Sequence, residues 1–140
     1  MKTRQEVAQI GVDTHRKFSK ATARNAAGKV VWRQRVEHGD RTRLQMCLED
    51  WPGGIPVILE SSFGWGWMCE ELEQAGLEPL LASSRKVAAW RDARWMAKSN
   101  RTDADLLSEL GGQRDRWWQV WLAPQEVRDR RECLRYHLSP

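Results

Sequence analysis

The chain has 140 residues, 41% hydrophobic and 30% charged, with a formal net charge of +4 and a pI near 9.3. That length suits one compact domain around one core, and the mild basic excess tilts the surface toward polyanionic partners. The polar residues 1–6 lack the apolar core of a signal peptide, and no apolar run approaches the ~20 residues of a membrane span. Cys47, Cys69 and Cys133, without C-x-x-C spacing, exclude a zinc knuckle or disulfide framework and fit a reducing, cytoplasmic setting.

In chain order, residues 7–13 read as a buried strand that ends in Asp13. Residues 18–25 alternate as a second strand, Ala26-Ala27-Gly28 forms a turn, and residues 29–36 form a third strand, so short connections predict an antiparallel meander. Residues 41–51 place Leu44, Cys47, Leu48 and Trp51 at helical spacing, with Asp40 as N-cap and Pro52-Gly53-Gly54 as terminator. Residues 56–60 are a short apolar strand ending in Glu60. Residues 64–75 form a helix with Trp67, Met68, Leu72 and Ala75 on one side, stopped by Gly76. A fifth strand spans 78–82. Helices are expected over 84–97, with Val87, Trp90 and Ala97 inward, and over 103–110, stopped by Gly111-Gly112. Residues 113–123 read as a loop rich in Trp and Arg, and Pro124 opens a charged helix over 125–138.

Three strands followed by helix–strand alternation predict an α/β fold: a mixed five-stranded sheet covered by helices on both faces, the order of the ribonuclease H-like fold. In that fold the first strand is central and the fourth is its parallel neighbour. Asp13 and Glu60 would then stand side by side at the carboxyl edge, where open α/β sheets place their sites.

Carboxylates converging from separate elements are the ligand set that metal-assisted phosphoryl transfer uses, with hard oxygens around one or two Mg²⁺ or Mn²⁺ ions. Asp13 and Glu60 are the first candidates, because a carboxylate directly after an apolar run is costly beside a core without a partner. Asp103 and Asp105 supply a further acid. Positions two apart on a helix face different ways, so only one of them should enter the site, and both also suit a helix first turn. His15, His38 and His137 lack metal-ligand spacing and read as surface residues, His15 nearest the site. Ser61 and Ser62 have no adjacent histidine base. Arg85, Lys86, Arg91, Arg94, Lys98 and Arg101, interleaved with Trp90 and Trp95, form a candidate nucleic-acid surface. The nine tryptophans exceed what a small core needs, so some should face a partner.

Four motifs follow in order: Ile10-Gly11-Val12-Asp13-Thr14-His15, Leu59-Glu60-Ser61-Ser62-Phe63-Gly64, Ala82-Ser83-Ser84-Arg85-Lys86-Val87 and Lys98-Ser99-Asn100-Arg101-Thr102-Asp103-Ala104. Together they resemble the N-terminal domain of DEDD transposases of the insertion-sequence-110 family, over most of the chain from Val7 to Leu138. The resemblance implies a RuvC-like ribonuclease H fold over residues 1–112, then the 113–123 loop, then the start over 124–140 of a helical linker whose C-terminal domain this chain lacks. It further implies Mg²⁺-dependent DNA cleavage and strand exchange, oligomeric action and a bridge RNA. It assigns Asp13, Glu60 and Asp103 as catalytic metal ligands. The family's final D-x-x-D falls on Asn100 and Asp103, so a neutral carbonyl replaces one carboxylate and metal affinity should fall. No residue here is assigned as the serine nucleophile of the family's C-terminal domain.

Two other readings stand beside this one. The first is a remnant that binds nucleic acid or an oligomer partner without cutting. The second is an actin-like ATPase, which the absence of a glycine-rich phosphate turn in Asp13-Thr14-His15-Arg16-Lys17 disfavours.

Overall fold

The computed structural model describes residues 6–62, 65–94, 103–122 and 125–138. Eleven elements follow in chain order: β1 (Gln9–Thr14), β2 (Phe18–Arg24), β3 (Val30–Glu37), α1 (Arg41–Glu49), β4 (Pro56–Glu60), α2 (Trp65–Gln74), β5 (Glu78–Ala82), α3 (Ser84–Arg94), α4 (Asp103–Leu110), β6 (Gln119–Val120) and α5 (Gln125–Leu138). The expected end of α3 over 95–97 lies outside the described residues.

The sheet has the order β3-β2-β1-β4-β5-β6. The β1–β2 and β2–β3 pairs are antiparallel, β1–β4 and β4–β5 are parallel, and β6 returns antiparallel to β5. The expected meander is present. Its β2–β3 turn is held by Asn25, whose Oδ1 accepts the Ala27 and Lys29 amides, and by Gly28 at φ 83°. β1 is interior and β4 is its parallel neighbour, as expected, while six strands replace the five anticipated.

The sixth strand corrects the reading of residues 113–123 as a loop. Gln119 and Val120 pair with Ala82 and Leu81, and Trp118, just before them, is fully buried. The Ser83 amide donates to the Trp118 carbonyl at 2.9 Å. The drive is burial of the indole rather than strand propensity, since two residues carry no alternation to read.

Successive residues of each strand point to opposite faces, so the sheet sorts its side chains into two cores. On one face Ile10, Val12, Ala21, Val36, Val57, Leu59 and Leu81 pack against Leu44, Leu48 and Trp51, in and just after α1, and Met68, Cys69 and Leu72 of α2. Asp40 caps α1 as expected, accepting the Thr42 amide at 2.9 Å and the Arg43 amide at 3.2 Å. Trp67, expected in the core, is instead exposed and meets His38 edge-on, because Met68, Cys69, Glu71 and Leu72 form the buried stripe of α2. On the other face Ile58, Leu80 and Ala82 pack against Val87 of α3, Leu106, Leu107 and Leu110 of α4, and Trp118.

Helix α4 lies directly on β1 at Gly11. A Cβ there would stand 2.1 Å from the Ser108 amide nitrogen and 2.4 Å from the Ala104 carbonyl oxygen, so only glycine permits this approach. The Gln9 amide group donates to the Ser108 carbonyl at the far end of the contact. Gln9 therefore meets the C-terminal half of α4, and the helix runs antiparallel to β1. Its first residue, Asp103, comes to the end of the strand that carries Asp13.

Candidate functional site

Asp13 shares a face with Gly11, and Glu60 shares one with Ile58. Gly11 and Ile58 are register partners, so both acids rise on the α4 side of the sheet at the carboxyl ends of two hydrogen-bonded parallel strands. Opposite Glu60 on β5 is Ala82, which is buried in the second core. Asp103 arrives from the first turn of α4. Three acids from three elements are thus gathered at one edge.

Their electrostatics show that they share a neighbourhood. The Asp13 carboxyl titrates above the ordinary carboxylate range, first because it is desolvated by burial and further because Asp103 adds negative charge, with the adjacent His15 working the other way. Glu60 is also raised, again by burial first. Arg91 opposes that shift, and the charges of Asp103 and Asp13 reinforce it.

Two of the acids have a side-chain partner. His15 Nε2 lies 2.8 Å from Asp13 Oδ2, and the His15 ring stacks on Phe18 with centroids 4.7 Å apart. Arg91 of α3 donates to Asp103 Oδ1 through Nε at 3.1 Å, with Nη2 at 3.0 Å. Beside Glu60, Ser84 Oγ donates to the Ser61 carbonyl at 2.9 Å.

Asp105 takes the other helical direction, as its spacing from Asp103 requires. It is buried beneath β2 and β3, accepting Thr22 Oγ1 at 2.6 Å and Arg33 Nε and Nη2 at 2.9 and 3.1 Å. Its role is to tie α4 to the hairpin, and it cannot take the place of a fourth site acid.

The predicted basic surface divides. Arg91 enters the site. Arg85 is exposed on α3, and Lys86 donates to the Trp117 carbonyl. Trp90 packs into the second core and against Trp117, 5.8 Å between centroids, and that contact occupies the ring expected to stack on bases. Only the backbone of Arg94 is described, and Lys98, Asn100 and Arg101 lie outside the described residues.

Sequence reasoning undervalued His15 and overlooked Gly11. The signal for His15 was its place two residues beyond Asp13, where a strand end lets the chain fold back. For Gly11 it was a glycine in the middle of an apolar strand, which often marks close backbone approach.

Carboxylate oxygens are the donors that Mg²⁺ and Mn²⁺ favour, and charges compressed by burial and mutual repulsion are relieved by a cation, so the donor set fits such an ion. Among the described residues, no three His, Cys, Asp or Glu side chains converge closely enough to hold one ion as they stand. Among the described residues, no helix is long and apolar enough to cross a membrane. The sequence matches no family model and no curated protein.

Proposed function

We propose that this chain is the N-terminal catalytic domain of a DNA transposase or recombinase of the DEDD type, with a RuvC-like ribonuclease H fold, acting on phosphodiester bonds with Mg²⁺ or Mn²⁺. The observation that carries this reading is the gathering of Asp13, Glu60 and Asp103 at the carboxyl edge of a sheet ordered β3-β2-β1-β4-β5-β6. DNA is the proposed substrate. A bridge RNA and further copies of the chain are the proposed partners, on the family resemblance alone.

Asp13, Glu60 and Asp103 would hold the ion or ions, with Asn100 at a weakened fourth position. A bound divalent ion activates an oxygen nucleophile and offsets charge developing on the phosphate. The chain's own groups complete the site. Arg91 reaches both Asp103 and the field of Glu60, so once displaced from Asp103 it remains a cation beside a phosphate. His15 holds Asp13 through one ring nitrogen and is itself braced by Phe18.

A second reading, nucleic-acid binding without cutting, draws support from the contacts of His15 and Arg91, which partner Asp13 and Asp103 without a metal. Titration of Mn²⁺ or Mg²⁺ into the protein separates the two. The catalytic reading expects saturable stabilisation, about 2.7 kcal/mol at a hundredfold excess over Kd, that is absent in Asp13→Asn, together with metal-dependent DNA cleavage lost in the same variant. A folded wild-type chain indifferent to both metals would favour the binding module.

A further inference from the structure

On the sheet face that carries Asp13, α4 covers β4, β1 and the near side of β2. Beyond the helix, the β2–β3 hairpin leaves a groove of about 300 Å³ lined by Lys20, Ala21, Thr22, Arg33, Gln34 and Arg35. Register explains its charge. Lys20 pairs with Arg35 and Thr22 with Arg33, so these side chains stand on one face, and Lys20 is in turn the β1 partner of Asp13. A single row thus crosses three strands as Asp13, Lys20 and Arg35.

The three cations are held differently. Arg33 is committed to Asp105 through two nitrogens and forms the rear wall. Arg35 is presented by its neighbours: its guanidinium carbon lies 3.8 Å from the Phe18 ring centroid, and its Nε donates to Glu37 at 2.6 Å. The same Phe18 stacks on His15, so Arg35 is braced by the aromatic ring that supports the partner of Asp13. Lys20 is exposed and has no carboxylate within ion-pair distance among the described residues.

We infer that this groove carries the phosphate backbone of the nucleic-acid strand being processed, with Lys20 and Arg35 contacting the phosphates next to the one at the acidic edge. Adjacent strands are roughly 4.8 Å apart, so the row places one cation about one strand spacing and another about two from Asp13. That reach suits consecutive phosphates of one extended strand. Contacts of this kind position the chain without reading its sequence. The inference rests on the proposed phosphodiester site for its direction, and supplies the substrate-positioning surface that α3 provides only in part.

The test is fluorescence anisotropy of a labelled single-stranded DNA, about 20 nucleotides long and so longer than the ~4–16 nucleotides a small domain covers. It is run in EDTA over a potassium chloride series. The Lys20→Ala/Arg35→Ala variant should bind at least about tenfold more weakly at low salt, with the slope of log K against log salt reduced by about 1.4, or about 0.7 for each lost phosphate contact. Lys20→Arg should bind like wild type, which separates charge from packing. Arg43→Ala, which removes a charge from the opposite face, should leave affinity unchanged. Wild-type affinity and slope in the double variant, or no DNA binding by the wild-type chain, would overturn the inference. The two proposals fail separately. Metal-dependent cleavage with binding indifferent to Lys20 and Arg35 removes the groove alone. Groove-dependent binding without any metal-dependent cleavage removes the catalytic reading alone.

Discussion

Asp13 and Glu60 keep their protons to higher pH in the fold than in the unfolded chain, because burial and neighbouring acids penalise the charged form. The folded state therefore binds more protons than the unfolded one just above pH ~4. Their stabilising contribution is complete below the unfolded pKa and is lost as pH rises through the folded pKa. Near pH ~7, Asp13→Asn and Glu60→Gln should each melt a few degrees above wild type, and the gap should close on acidification toward pH ~4. Thermal scans across that range check this. A wild-type chain more stable than both variants at neutral pH without metal would contradict it. Asp105 takes no part in the acidic edge. It is buried with hydroxyl and guanidinium donors already in place, so its charge serves architecture.

At the scale of elements, the site is an encounter between a helix start and two strand ends, and Gly11 sets how close they come. Gly11→Ala forces a methyl into the α4 backbone, where no flexible side chain can yield. We expect a loss of about 1–3 kcal/mol, as for overpacking elsewhere, and a larger loss of metal response than of stability, because Asp103 moves with the helix. Chemical denaturation and metal titration of the same variant check both parts.

The two acid-bearing strands were legible from sequence because each is an apolar run closed by a carboxylate, a pattern that needs no tertiary information. The split between Asp103 and Asp105 was legible from helical geometry. The groove was not. Lys20, Arg33 and Arg35 look like ordinary exposed positions until hairpin register aligns them, and register is a property of the paired strands. β6 was hidden for a similar reason, since its two residues become a strand only when β5 offers an edge and Trp118 finds a core.

For the whole molecule, Trp118 is the pin that brings the 113–122 segment back to the sheet. Trp118→Ala should cost about 3–5 kcal/mol, the range for emptying a buried aromatic site, and should release β6 without disturbing the α1–α2 face. Urea unfolding together with hydrogen exchange at Leu81 and Ala82 checks both. Beyond this segment, α5 is fastened to α2 by Arg128, whose Nη2 lies 2.6 Å from Glu73 Oε1.

The ends of the sheet carry a consequence for assembly. An unpaired strand edge is a template on which other chains can polymerise, and proteins blunt it with charge or brevity. Here one margin is β3, studded with Arg33, Arg35 and Glu37, and the other is β6, only two residues long. The charges on β3 and the brevity of β6 both oppose strand-by-strand growth, and the exposed indoles of Trp67 and Trp121 lie outside the sheet, on a helix and a loop.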